Sequence, residues 1–250
     1  MSRVSRVRAE AVAAWHSFLR RRTAVFFTFF FPLILVVIFG ALVRTGATGG
    51  GLFTEPAGYY AAGYVAVVVL FTPLSRVGSE VARTRDGRRF EKLATTPLTR
   101  TEWLLAHTAV NGVIIGLAAL AVLVLVVGLT GAAVAPSPLL VPLVAAGVVL
   151  FCGVGATLGA LADSQDGAIS ASNAVALPLL FLSETFVPPS LLPAWFRPVV
   201  DLSPLTYFSR GARAATHTGD IGVALTNLAV LSALAVVAFG VGAALVPRTE

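Results

Sequence analysis

Residues 109–131 read AVNGVIIGLAALAVLVLVVGLTG, an unbroken stretch without one charged side chain. About 20 apolar residues cross the roughly 30 Å of bilayer hydrocarbon as one helix, which satisfies its own backbone there. Working outward, residues 24–43, 57–74, 139–162, 168–187 and 221–246 have the same character. The sequence therefore predicts an all-α membrane protein of six transmembrane helices. Composition agrees: the 250 residues are 57% hydrophobic and 12% charged, about half the charge of a soluble domain, and mean hydropathy is +0.88. Disorder and a disulfide-stapled secreted fold are excluded by the same figures and by the single Cys152, which lies in an apolar run and reads as a small hydrophobe.

Charge orients the bundle. Six arginines precede the first span. Arg76, Arg83, Arg85, Arg88, Arg89, Lys92 and Arg100 lie between the second and third, and Arg248 follows the sixth. Fourteen basic residues fall on that side against four on the other, Arg44, Arg197, Arg210 and Arg213. Basic loops stay inside, so both termini are expected in the cytoplasm of a multi-pass cell-membrane protein. The net charge of +6 then reflects loops facing anionic lipid rather than nucleic acid. Residues 1–23 are too arginine-rich for a cleavable leader. Val4, Val7, Ala11, Trp15 and Phe18 recur at helical spacing, which suits an amphipathic helix on the inner membrane face; the plainer alternative is a topology anchor. Residues 24–250 then form one transmembrane domain.

Two segments fit no simple span. Residues 75–107 are the longest polar stretch. Glu80, Arg83, Asp86, Arg89 and Glu91 alternate in sign at helical spacings, as on a solvated helix. Pro97 breaks it, and Thr101 with Glu102 can start the next helix. The segment is either a docking surface for a cytoplasmic partner or a solvated hairpin. Residues 184–220 carry five prolines yet stay apolar, with Trp195, Phe196, Tyr207 and Phe208. They suit a re-entrant or interfacial helix pair outside, between spans five and six, with Ser203–Pro204 starting the second member.

Within the spans no charged residue or histidine is expected mid-membrane; Glu184 comes nearest. Ion-coupled carriers usually place such groups along their path, so a lipidic, amphipathic drug-like or glycan cargo fits better. Pro32 and Pro178 interrupt the first and fifth spans, and Ser170, Ser172, Asn173 and Ser183 give the fifth its polarity. Candidates for the path or its gate are Pro32, Asn111, Ser170, Asn173, Phe181, Glu184, Trp195 and Tyr207. Gly112 with Gly116, and Gly155 with Gly159, have the four-residue spacing of close helix packing.

No catalytic chemistry is legible. A phosphate-binding P-loop needs Gly-Lys-Ser/Thr, and the only lysine, Lys92, stands between Glu91 and Leu93. His16, His107 and His217 are far apart and neighbour no cysteine, so no metal site is expected. No serine sits in a nucleophile elbow. The chain is expected to bind no cofactor.

Topology and motifs together resemble the type 2 permeases of ATP-binding-cassette (ABC) exporters, over nearly the whole chain. One motif is Asp86-Gly87, Glu91-Lys92-Leu93 and Thr96-Pro97-Leu98-Thr99-Arg100, similar to the family's coupling loop. The other is Pro188 to Leu192, Pro193-Ala194-Trp195 and Pro204-Leu205-Thr206-Tyr207-Phe208 with Arg213, similar to its outer segment. The family often has Gly-Thr where this chain reads Arg88-Arg89-Phe90. The resemblance implies an exporter of two permease chains, identical or related, driven by two copies of a separate nucleotide-binding ATPase subunit that uses ATP and Mg. It also implies that Glu80, Arg83, Asp86, Gly87, Glu91, Lys92, Leu93, Pro97 and Leu98 couple to that ATPase. The alternatives are an ATP-independent secondary transporter, an intramembrane enzyme using Glu184, Ser209 and His217, or an assembly protein.

Overall fold

A computed structural model describes residues 2–42, 55–188 and 192–247, and every regular element among them is helical. Arg44, Pro189, Leu191 and Arg248 lie outside the described residues. Helix α1 (Arg3–Arg20) starts at Ser2, whose hydroxyl accepts the Ser5 N–H at 3.3 Å. The chain leaves helical geometry at Arg21 and re-enters it in α2 (Arg22–Val36), which continues as a π-helical turn, Val37–Leu42. α1 sets Ala14 and Phe18 against Val110 and Ile114 of α5 (Arg100–Thr130).

The main departure from the sequence reading is α3, Ala57–Asp86. The second span was expected to stop at Leu74 and give way to a polar loop. The helix instead runs on for three further turns, because Leu70, Leu74, Val77, Gly78, Val81 and Ala82 keep a buried stripe at helical spacing. The charges Arg76, Glu80 and Arg83 therefore belong to the same continuous helix and not to a separate solvated one. Arg88, in the left-handed region at φ 50°, then reverses the chain into the short α4 (Arg89–Ala94). The next helix begins two residues earlier than Thr101 suggested. Thr99 Oγ1 accepts the Glu102 N–H at 3.2 Å, while Glu102 Oε2 accepts the Thr99 N–H at 2.9 Å, a reciprocal cap.

α6 (Leu140–Leu161) and α10 (Ile221–Leu245) complete the centre with α3. Glycine permits the close approach: a methyl group on Gly159 would overlap the Gly78 carbonyl, and one on Gly155 the Leu74 carbonyl. A Cβ on Gly242 would lie 2.5 Å from the Gly153 carbonyl oxygen. Gly112 and Gly116 behave otherwise than expected: among the described residues no other element comes within 4 Å of where a Cβ would stand, so their face of α5 looks outward.

Among the described residues, five helices are long and apolar enough to cross a membrane: Arg22–Phe39, α3, α5, α6 and α10. The expected fifth span is shorter than drawn. α7 (Gln165–Phe181) has 17 residues and gives way to turns, in which the Ser183 hydroxyl donates to the Leu180 carbonyl at 2.7 Å and pairs with Thr185 Oγ1 at 2.6 Å. Beyond it lie a 3-10 turn (Ala194–Phe196), α8 (Arg197–Asp201), α9 (Pro204–Arg213) and a π-helical turn, Ala214–Thr218. Ser203 precedes α9 as expected, but its hydroxyl donates to the Leu179 carbonyl at 3.3 Å instead of capping. These short helices close one end of the bundle, where the Ala135 N–H donates to the Thr216 carbonyl at 2.8 Å. The arginines of α1, α3 and α5 gather at the other, beside the C-terminal ends of α6 and α10.

Candidate functional site

At the arginine-rich end, cations tie the helices together. Arg6 of α1 grips Glu102 of α5 through Nε to Oε2 at 3.1 Å and Nη2 to Oε1 at 2.5 Å. That hydrogen bonding raises the Arg6 pKa above its ordinary value. Glu10 of α1 meets His107 Nε2 at 3.3 Å. Arg85 donates to the terminal carbonyls of α6, Ala160 at 3.1 Å and Ala162 at 2.5 Å. Arg100 donates to Ala244 and Val246 at the end of α10, each at 2.8 Å. Guanidinium groups at helix C-termini satisfy orphan carbonyls and complement the dipole. Residues that sequence counting used only for sidedness thus tie five helices together at this end, α1 to α5, α3 to α6 and α5 to α10.

α4 hangs from this block. Phe90 is buried and meets the Trp103 ring at 5.4 Å, and Trp103 in turn lies 4.1 Å from the His107 ring. Leu93 and Leu98 are half-buried and pack on the chain's own core; they are not free apolar knobs. A groove of about 400 Å³ opens beside them, bounded by Glu10 and Ser17 of α1, Glu80 and Thr84 of α3, Lys92 and Leu93 of α4, and Trp103 of α5. Glu80 forms its floor, paired with Arg83 and, at 3.6 Å, with Arg21. Asp86 pairs with Arg85 at 3.3 Å and Gly87 ends α3. Glu91, Lys92 and Pro97 face outward. Of the nine coupling candidates, Glu80, Lys92 and Leu93 line this groove, and the other six lie outside its lining.

Of the path candidates, Pro32, Asn111 and Asn173 line one cleft of about 390 Å³ between α1, α2, α3, α5 and α7. Ser170 and Phe181 are exposed, and with Asn173 and Leu177 they mark one open face of α7 at spacings of three and four. Trp195 is 75% exposed at the opposite end, and the Tyr207 hydroxyl donates to the Asp201 carbonyl at 2.8 Å. Glu184 is buried in a cap of the outer segment. Arg210 Nε donates to its Oε2 at 2.8 Å, Arg210 also reaches Asp201 at 2.7 Å, and Arg213 Nη2 donates to the Glu184 carbonyl at 2.7 Å. Bonding to Glu184 raises the Arg210 pKa, whereas burial lowers that of Arg213. Ser209 meets Thr185 at 3.2 Å, and His217 stands against Tyr59 instead of the carboxylate.

Arg76 is the residue that the sequence reading passed over. It was placed in a loop, yet it lies in α3 and lines the cleft, with its guanidinium 4.3 Å from the Phe18 ring centroid. The i, i+4 stripe from Leu70 to Val81 was the available signal. Among the described residues, no group of histidine, cysteine and acidic side chains is placed to hold a metal ion.

The sequence profile of the ABC-2 type transporter family matches residues 6–216. A stretch of 83 residues is 32% identical to the daunorubicin resistance ABC transporter permease protein DrrB1 of Streptomyces coeruleorubidus, covering 32% of this chain and 29% of that protein. The shared stretch thus spans under a third of the relative's length.

Proposed function

Because the chain belongs to the ABC-2 type transporter family, we propose that it is the permease of an ATP-driven exporter, paired with a second permease chain and powered by two copies of a separate ATPase subunit. The family is one of transporter membrane subunits and not of catalytic chains. The observation that carries the coupling role is the braced groove around α4. Phe90 of α4 packs on Trp103 of α5, and Glu80 of α3 and Glu10 of α1 line the groove beside it, so a subunit seated on the Glu91–Pro97 rim and in that groove would bear on three helices. Six spans, with α7 as the fifth and α8–α9 re-entering outside, complete the proposed topology with both termini cytoplasmic. The open face of α7 and the cleft behind it line the proposed path between the two chains. A drug-resistance permease among the relatives favours an amphipathic, drug-like cargo.

The test is co-expression with a candidate nucleotide-binding ATPase subunit. The purified chain alone should turn over no ATP above a mock preparation, since it has no P-loop lysine. The co-purified complex should hydrolyse ATP and export. Steady hydrolysis by the chain alone would refute the assignment.

A further inference from the structure

The cleft behind α7 has one wall of aromatic and aliphatic side chains, including Phe27, Phe31 and Phe71, and a polar inner end. At that end Arg76 is incompletely matched. Its Nη1 is buried without a hydrogen-bond partner, and Asn111, only 1% exposed, leaves Oδ1 unpartnered as well. Among the described residues the charges around it do not balance. Arg21, Arg76 and Arg83 stand around a single carboxylate, Glu80, which already serves Arg83 and Arg21. The remaining titratable lining group, His107, is occupied with Glu10. Contact with the Phe18 ring holds the Arg76 guanidinium in place but supplies no anion.

A buried guanidinium with an unmet donor, set under an apolar wall, asks for an acceptor with negative charge and an apolar body. Arg76 lies ten residues before the end of α3, about 15 Å along the helix, a depth that suits the headgroup region and upper chains of the leaflet on the arginine-rich side. A volume near 390 Å³ is within the range of ordinary ligand sites. Basic pockets between spanning helices on the cytoplasmic side are a recurring way of holding acidic headgroups. We propose that this cleft binds an acidic phospholipid, with the phosphodiester on Arg76, a headgroup hydroxyl donating to Asn111 Oδ1, and an acyl chain along Phe27, Phe31 and Phe71. The inference requires that the chain span a membrane, and it does not depend on which ATPase drives it.

Native mass spectrometry of the assembled transporter, released from vesicles of equal phosphatidylglycerol and phosphatidylcholine, tests this. Phosphatidylglycerol should be retained in preference. Arg76→Gln should lower that retention about tenfold, the worth of one charge-assisted contact. Arg76→Lys should restore most of it, and Arg197→Gln, an exposed arginine at the other end, should leave it unchanged. Thermal unfolding of each variant shows that the fold survives. Millimolar inorganic phosphate should not displace the lipid. Equal retention of both lipids, full retention in Arg76→Gln, or displacement by phosphate alone would each overturn the proposal. ATPase co-purification, measured on the same samples, reads the permease assignment separately.

Discussion

Leu93 and Glu91 sit two residues apart on α4 and do different work. Leu93 is half-buried at the lip of the groove, while Glu91 is exposed and only 4.0 Å from Arg88. An exposed pair of that kind contributes little, whereas a charge driven into an apolar contact is unfavourable for both faces. Leu93→Asp should therefore weaken ATPase recruitment about tenfold or more, and Glu91→Gln should leave it within twofold, measured by co-purification. Full recruitment by Leu93→Asp would move the docking surface elsewhere. Glu184 poses the opposite case, a residue 3% exposed whose carboxylate accepts from Arg210 and whose backbone carbonyl accepts from Arg213. Removing it takes the bidentate partner from Arg210, which keeps Asp201, so Glu184→Ala should destabilise the chain by about 1–3 kcal/mol. The unfolding temperature in detergent checks this, and Glu184→Gln, which keeps a hydrogen-bond acceptor, should lose less.

At the scale of elements, α3 is held by contacts that a side chain would prevent. Its carbonyls at Leu74 and Gly78 lie directly beneath Gly155 and Gly159 of α6. Adding one methyl group at Gly159 meets backbone, which cannot swing aside, so Gly159→Ala should cost about 1–3 kcal/mol. Gly116→Ala meets nothing within 4 Å and should stabilise α5 by about 0.5–1 kcal/mol through helix propensity alone. Denaturation of the two variants in detergent separates them. The same four-residue spacing thus has two meanings, and only the neighbouring helix distinguishes them. The charged stretch after Leu74 was misread for a related reason. Alternating charges suggested a solvated helix, but charge occupies only part of the circumference, and the apolar remainder keeps α3 continuous against α6.

For the whole molecule, arginines of α1, α3 and α5 meet the C-terminal ends of α6 and α10 at one end, and α8–α9 close the other. Asymmetry of fourteen basic residues against four should hold the arginine end in the cytoplasm. In a Cys152→Ala background, Arg88→Cys should react with an impermeant thiol reagent only after permeabilisation, and Trp195→Cys in intact cells. Both positions are well suited, with side chains 81% and residues 75% exposed respectively. Labelling of position 88 in intact cells would invert the topology and remove the coupling role from α4.

Apolar runs too long for any soluble helix determined by themselves that this chain is helical and enters the membrane, because hydrocarbon leaves the backbone no other partner. The missing P-loop lysine and the order of the Pro-rich and charged motifs likewise pointed to a transporter subunit from one dimension of information. What only tertiary structure decided concerns which surfaces face each other. Arg85 and Arg100 cap helices distant in sequence, Glu184 is enclosed by Arg210 and Arg213, and Arg76 turns into the cleft beside Asn111. None of these pairings has a periodicity to read, since each joins residues brought together by packing between helices, and the spacing along one helix records only its own faces.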